Sequence, residues 1–410
     1  MRFLRLSAML FAVLLGLPAQ VAGQLRPLSE AFPLWMPTTV PGDPDRGPYT
    51  YGIPGFPVAI ALPHGFVLAS MISDSEDNQA IQAESIDLSG LLGPMLLNGS
   101  EWGTSELDPA VAATSPGGLV LASVEEASDS DDNELYLVLL RRFALGGVLS
   151  GAPVPLTEAV DSGFCSPAVA GNASGGFVVA WEGECFFSVS PLTLSARAFD
   201  SSGEPATAEL AIPMPETSRV SGRPRVGIDA AGRFVVLWRQ AGATDAVPAK
   251  LCGQAYGAKG GFLGSRFCIG ELAGSTVGAL AIDPAGSFLA AWFGPAAPGA
   301  QTPLFVCRYQ MNGTPLGSPV QVAAANPSSG LSASSDRRGN AALSWQEGNQ
   351  MRVLLVRRDA VAKGPAITIS GVKSDPDVYA NGVALNDFGR LLVTWLSGDR
   401  IFGRLWQARF

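Results

Sequence analysis

The sequence predicts an all-β fold: a seven-bladed β-propeller of four-stranded antiparallel blades, with the ring closed by the N-terminal strand completing the last blade. Three observations predict it. A segment recurs seven times along the chain, the composition is apolar and turn-rich but poor in charge, and the C-terminus lacks a strand that the N-terminus can supply. Fixed-period repeats of this length signal solenoids or radial arrays.

The repeat comes first. Pro167 to Trp181 (P-A-V-A-G-N-A-S-G-G-F-V-V-A-W) aligns without gaps on Pro224 to Trp238 and on Gly278 to Trp292. Weaker copies end at Trp345 and Trp395, and two more end in Ser70 and Ser123, so the copies close at 70, 123, 181, 238, 292, 345 and 395. Each reads as a short apolar strand, a Gly turn, a second apolar strand, and then a variable loop. A third strand follows, with Arg beside an aromatic residue (Arg142-Phe143, Arg308-Tyr309), then a Gly turn and a fourth strand such as Ala206 to Ile212 or Leu316 to Ala323. Small residues in the first strands (Val58-Ala59, Val111-Ala112, Val169-Ala170, Val383-Ala384) suit crowding around a central channel. The Trp series reads as core between blades.

The ends test the ring. The seventh copy stops at Arg404 to Phe410, which aligns with a third strand, and Pro27 to Leu34 resembles the fourth strand near Thr314 to Gln321. An open solenoid or a string of sandwiches would leave that deficit and that surplus unrelated. A closed ring uses one to fill the other and removes an exposed edge.

The unit P-x-V-A, G-x-F-V-V-x-W, R-x-F-D resembles the repeat of secreted bacterial β-propeller proteins, a group mostly without assigned activities. The resemblance covers nearly all of the chain after residue 23 and implies fold rather than chemistry. The sialidase turn S-x-D-x-G-x-x-W and the WD40 signature are not in the sequence.

Residues 1–23 have the layout of a cleaved signal peptide: Arg2 and Arg5, an apolar run from Leu6 to Leu17, then Val21-Ala22-Gly23. The expected mature chain, 24–410, is one domain, secreted or periplasmic, with no span long enough for a membrane and a monomeric state. Five cysteines fit an oxidising compartment. Cys252 and Cys268 flank the turn Gly257 to Gly261 symmetrically and should pair; Cys165 and Cys185 form the second expected pair, leaving Cys307. With 47% hydrophobic and 15% charged residues the chain should fold, and its net charge of −9 argues against nucleic acid as a partner.

The loops between strands 2 and 3 and between blades emerge on one face, and they make it acidic. Asp77 and Asn78 in blade one, Asp131 and Asp132 in blade two, and Glu182 and Glu184 in blade three are the candidate ligand-binding residues. Asp129, Asp131 and Asn133 have the alternate spacing of a calcium loop, although Glu134 stands where such a loop needs Gly. Calcium is the one cofactor the sequence suggests. The single histidine, His64, lies in a turn on the opposite face, which argues against a multi-His zinc site or a Ser-His-Asp triad. The expected function is a non-enzymatic scaffold whose acidic face binds a protein or a glycan. The alternative is a carbohydrate-active hydrolase with paired carboxylates on that face.

Overall fold

A computed structural model describes residues 25–33, 55–62, 64–73, 79–89, 92–98, 105–114, 118–128, 134–144, 148–159, 164–183, 193–212, 224–242, 244, 247–328, 330–348, 350–369, 381–397 and 400–410. Residues 1–23 lie outside this set. The described residues form seven antiparallel sheets, six with their strands in sequence order and one completed by the N-terminal strand, and no helix. This is a seven-bladed β-propeller. The innermost strands are Gly55–Leu62, Ser105–Thr114, Phe164–Gly171, Arg225–Ile228, Ala279–Asp283, Ser332–Ser335 and Asn381–Leu385. The first and last of these lie side by side, so the ring is closed.

The second strand of each blade explains why the repeat reads as a continuous apolar run instead of alternating. In Phe177–Gly183, Phe177, Val179 and Trp181 pack towards blade two, while Val178 and Ala180 pack towards blade four. A strand covered on both faces has no solvent side on which to place polar residues. The core is accordingly divided into seven clusters, one at each seam between neighbouring blades. Trp181, Trp238, Trp292, Trp345 and Trp395 each face the preceding blade and are at most 3% exposed. In blades one and two the position is held by Ser70 and Ser123, also buried.

Both chain ends join blade seven as expected, but the N-terminal strand is broken. Leu25–Pro27 pairs with the third strand, Arg400–Ala408, from Leu25 opposite Ala408, and Phe32–Pro33 rejoins it opposite Gly403 and Phe402. Pro27 and Pro33 have no N–H for the ladder. Between the two pieces, the N–H of Leu28 donates to the Leu405 carbonyl at 2.9 Å and Ser29 Oγ accepts the Leu405 N–H at 3.1 Å. Some fourth strands are also short, although Leu92–Asn98 in blade one and Val320–Ala325 in blade five are not. Leu210–Ala211 and Val154–Pro155 have two residues each, and a single bridge upstream, such as Phe199 to Pro205, is all that remains of the rest. Short, interrupted outer strands limit edge-to-edge association.

The face bearing the turns between strands 1 and 2 is stitched together. In each of blades three to seven an Asn or Asp opens that turn; Asp229 Oδ1 accepts the N–H groups of Ala231 and Arg233, both at 2.9 Å, and Asn386 does the same for Phe388 and Arg390. The turn then needs a residue at positive φ, supplied by Gly232 at 78° and Gly389 at 71°. Neighbouring turns are linked to one another. Asn172 Nδ2 donates to the Asp229 carbonyl at 2.9 Å, the Ala230 N–H to the Pro284 carbonyl at 3.4 Å, and the Arg337 N–H to Asp387 Oδ1 at 2.8 Å. Arg142 and Arg308, at equivalent repeat positions, each reach the next blade, to the carbonyls of Ser202 and Gly339. Burial pulls the Arg308 guanidinium's pKa down, and the nearby carboxylates of Asp283 and Asp336 push it back up. His64 is an exposed turn residue on this face, as expected.

Candidate functional site

On the opposite face the described residues surround a cavity of about 670 Å³, lined by the upstream halves of the innermost strands and the described loops that lead into them. That volume lies within the range of small-ligand sites.

The P-x-V-A motif shapes the first wall. Proline interrupts the ladder between strands 1 and 2, and the register shifts at this point in blades one, two and three, between Gly55 and Val58, Leu107 and Ala110, and Cys165 and Ala168. In blade three the bulge holds Ser166 at φ 50°, a left-handed conformation uncommon for a non-glycine residue, and Ser166 lines the cavity. A bulge of this kind re-aims a side chain.

The second wall comes from the loops entering blades five and six. Thr276 Oγ1 donates to the Ala273 carbonyl at 2.6 Å, Arg239 Nη2 to the Gly274 carbonyl at 2.9 Å, and the Ala273 N–H to the Phe293 carbonyl at 2.8 Å. In the next loop the Ser328 N–H donates to the Gln346 carbonyl at 2.9 Å, and Glu347 accepts the Asn326 N–H at 2.9 Å while pairing with Arg352 at 3.3 Å. Ser275, Thr276, Ser328 and Ser332 thus present hydroxyls from a pinned frame.

The lining is divided by chemistry. Among the described lining residues, blades three to six contribute Ser166, Arg225 and those four hydroxyls, and blades seven, one and two contribute Gly, Ala, Val and Pro. Arg225 is the one charged residue among the described lining. It pairs in register with Leu237, a residue of the seam between blades four and five, so it lies towards the wall that carries Ser275 and Thr276.

The residues expected from the sequence fare differently. Asp77, Asn78, Asp129, Asp131, Asp132, Asn133 and Glu184 lie outside the described residues, as does Cys185 and with it the Cys165 pairing. Glu182 was expected on an exposed loop; it is instead within the second strand of blade three, opposite Cys165 and Leu194, and only 3% exposed. The strand runs on to Gly183, so the loop begins after Glu182. Cys252 and Cys268 form the expected disulfide across strands 3 and 4 of blade four. Cys307 is free and buried, and burial raises its pKa. Its thiol lies 3.3 Å from the Gly317 carbonyl; Gln254, at the same repeat position one blade earlier, donates to the Gly264 carbonyl at 3.2 Å. Cys307 therefore ties down a turn and lies away from the mouth. Among the described residues no cluster of three or more His, Cys, Asp or Glu side chains could hold a metal ion.

No family model matches the chain, and no curated protein matches it. Solved structures do. It is similar to an α-L-arabinanase of Penicillium chrysogenum complexed with arabinobiose, at 12% identity over 73% of this chain and 92% of the other, with a TM-score of 0.46. A Hadza microbial sialidase shares 13% identity over 82% of this chain and 75% of its own, with a TM-score of 0.47. Aleuria aurantia lectin in complex with Fucα1-6GlcNAc shares 11% identity over 74% and 95%, with a TM-score of 0.42. At these values the likeness is one of fold, and what each protein binds or cleaves is a property of that protein.

Proposed function

We propose that the open channel mouth is a carbohydrate-binding site of an exported protein. The observation that carries this reading is the described lining, in which the hydroxyl residues Ser275, Thr276, Ser328 and Ser332 on pinned loops stand beside small apolar residues of the inner strands. A sugar ring has both kinds of surface, hydroxyls at its edge and C–H groups on its faces, and a preorganised frame reduces the ordering cost of binding it. The Cys252–Cys268 disulfide supports export, in keeping with the leader read at residues 1–23.

A second reading is hydrolysis on the same face, for which Glu182, buried near the end of the second strand of blade three and outside the described cavity lining, is a candidate carboxylate. A carboxylate this deeply buried near the loop face is the kind of group whose environment can fit it for acid–base work. The loop acids at Asp77, Asp131, Asp132 and Glu184 would supply its partner.

The test is calorimetric titration of the full chain with neutral and acidic oligosaccharides, with reducing-sugar release followed in the same samples. Ser328→Trp is the control: Ser328 is an exposed lining residue, and the larger side chain should close the mouth without touching the core. Binding that S328W abolishes, without turnover, supports the scaffold reading. Turnover with a bell-shaped pH profile that E182Q removes supports the hydrolase. Binding unaffected by S328W refutes the site.

A further inference from the structure

We infer that the stitched face of the ring docks on an anionic lipid bilayer, with its apolar turn tips at headgroup depth and the arginines of blades six and seven on the lipid phosphates. Such docking is independent of what the mouth at the other end of the channel binds.

Exposed apolar side chains are divided unevenly between the two ends of the ring. Of the seven most exposed large apolar residues among those described, six lie in or beside the turns of the stitched face: Val148, Leu149, Phe262, Leu316, Val361 and Phe388. The seventh, Val247, lies between strands 2 and 3 of blade four, on the other face. Single apolar residues scattered over a surface are ordinary, but their collection on one face marks an interaction surface. The tips are also held in place. Phe388 is 61% exposed, yet its N–H donates to Asn386 Oδ1 and its carbonyl accepts from Gln407 Nε2, both at 3.0 Å. The Leu316 N–H donates to the Arg308 carbonyl at 2.7 Å, and the Phe262 ring lies 5.5 Å from that of Tyr256. A backbone fixed in this way lowers the ordering cost of binding.

Basic side chains gather in one sector of the same face. In blades six and seven the carboxylates of Asp359 and Asp387 are already paired, with Arg357 at 2.9 Å and Arg337 at 2.8 Å. Arg338, Arg358, Lys363, Arg390 and Arg409 have no carboxylate partner among the described residues. Arg390 shows how the surplus arises. In blade four Arg233 pairs at 2.6 Å with Asp229, four residues earlier; blade seven has Asn386 at that place, which keeps the backbone hydrogen bonds of the turn and drops the charge. The cations stand beside an apolar tip. Arg337 bridges to the turn that carries Phe388, and a Cβ on Gly339, next to Arg338, would lie 3.3 Å from Arg358 Cγ. The exposed carboxylates Asp87, in blade one, and Asp200 and Glu204, in blade three, lie outside this sector.

A bilayer is favoured over a soluble acidic polysaccharide because the cations alone would serve a polysaccharide, whereas a membrane interface also takes up apolar side chains at the headgroup and acyl boundary. The net charge of −9 does not oppose docking: charges more than about 8 Å away are largely screened at physiological salt, and the acidic stretch Asp129 to Glu134 joins strands 2 and 3, towards the mouth. A ring docked in this way turns its mouth to the medium.

The chain from residue 24, which holds every described residue and omits the apolar run from Leu6 to Leu17, is sedimented with sucrose-loaded vesicles. One set contains phosphatidylglycerol with phosphatidylcholine, the other phosphatidylcholine alone. The anionic set should bind about tenfold or more tighter, and high salt should remove most of that difference. Arg338→Gln with Arg358→Gln should weaken binding to it about 30-fold. Neither side chain takes part in the bonds that join the blades, and thermal melts check that each variant is folded. Phe388→Ser should weaken binding while leaving its salt dependence, and Val247→Ser, on the other face, should change nothing. Failure to bind the anionic vesicles, equal binding to both sets, or binding that survives R338Q/R358Q or F388S would each overturn the inference. So would arginine-dependent retention on heparin without vesicle binding, which would assign the patch to a soluble polyanion. The titrations of the mouth with sugars are unaffected by any of these outcomes.

Discussion

Breaking the Cys252–Cys268 bridge is the perturbation whose size can be worked from the structure most directly. The two cysteines are register partners on strands 3 and 4 of blade four, sixteen residues apart. In the loop-entropy description, closing a loop of that length in the unfolded chain is worth about 3 kcal/mol at 25 °C. With an unfolding entropy of about 2.1 cal/mol/K per residue, a chain of this size should lose roughly 4 °C in Tm. Cys252→Ala with Cys268→Ala is the cleaner comparison than chemical reduction, because Cys165 and Cys185 remain untouched. Scanning calorimetry under non-reducing conditions reads the shift, and hydrogen exchange should place the loosening in blade four and the loop after it. That loop matters for the mouth: the fourth strand, Phe267–Glu271, is followed by Leu272, whose N–H donates to the Ala249 carbonyl at 2.8 Å, and then by the segment that carries Ser275 and Thr276. Ligand affinity should therefore fall along with stability. A Tm within a degree of the parent would refute the reasoning, since it would mean that the bridge constrains nothing in the unfolded chain that the hairpin does not constrain already.

Glu84 yields a pH prediction. Its carboxylate is half-buried, Oε2 finds no hydrogen-bond partner among the described residues, and burial raises its pKa above the usual 4.5. A raised carboxyl pKa means that the protonated form is tolerated and the charged form is penalised, so stability falls as pH rises from the unfolded-state value through the folded one. Glu84→Gln should raise the urea midpoint at pH 7 and leave it unchanged at pH 3; an equal gain at both pH values would contradict that assignment. Gly286→Ala should destabilise more than Gly299→Ala. Both sit at positive φ, but a Cβ at 286 would lie 2.2 Å from Arg233 Nη2, which pairs with Asp229 at 2.6 Å, whereas at 299 it meets nothing within 4 Å. Backbone strain alone is about 1 to 2 kcal/mol, and urea unfolding should show the excess at 286. Millimolar Ca²⁺ in place of EDTA should raise Tm if Asp129, Asp131 and Asn133 hold the cation; saturation a hundredfold above Kd adds ~2.7 kcal/mol, and an unchanged melt removes calcium from the reading.

The ring was legible because its determinants are local and repeated. F-V-V-A-W and F-V-V-L-W mark strands buried on both faces, Gly232 and Gly389 mark turns that need positive φ, and the unmatched third strand at the C-terminus points to its partner at the N-terminus. What escaped was anything set by a neighbour across a seam. Asp229 and Asn172 read as ordinary turn residues, although they also join adjacent blades, and the Arg before each aromatic residue gave no sign that Arg142 and Arg308 reach the next blade. Glu182 was misplaced because a strand's last residue is decided by its ladder partners, here Cys165 and Leu194, and not by the charge of the side chain. The mouth was least legible of all. Ser166, Arg225, Thr276 and Ser332 are each roughly one repeat apart in sequence, and only ring closure brings them to one rim.

The two ends of the channel differ for a reason contained in the repeat itself. The turns between strands 1 and 2 are short, so their backbone groups can be satisfied only by the turn's own Asn or Asp and by the next blade, and the result is a stitched ring with little freedom to vary. The connections between blades are longer and are anchored at their bases, as Arg239 anchors Gly274 and Glu347 anchors Asn326, which leaves their tips and the first residues of the inner strands free to change without loosening the ring. A position that can change at small cost in stability is where recognition can be specified, and here those positions carry the only charge and every hydroxyl of the described lining. The same logic accounts for the placement of the bulges. A proline at the mouth of an inner strand disturbs one rung of one ladder, while the seams below it, where Trp181 and Trp238 pack, keep their registers. Substitutions at the mouth should therefore alter binding while leaving the melt nearly unchanged, and substitutions at the stitched end should do the reverse.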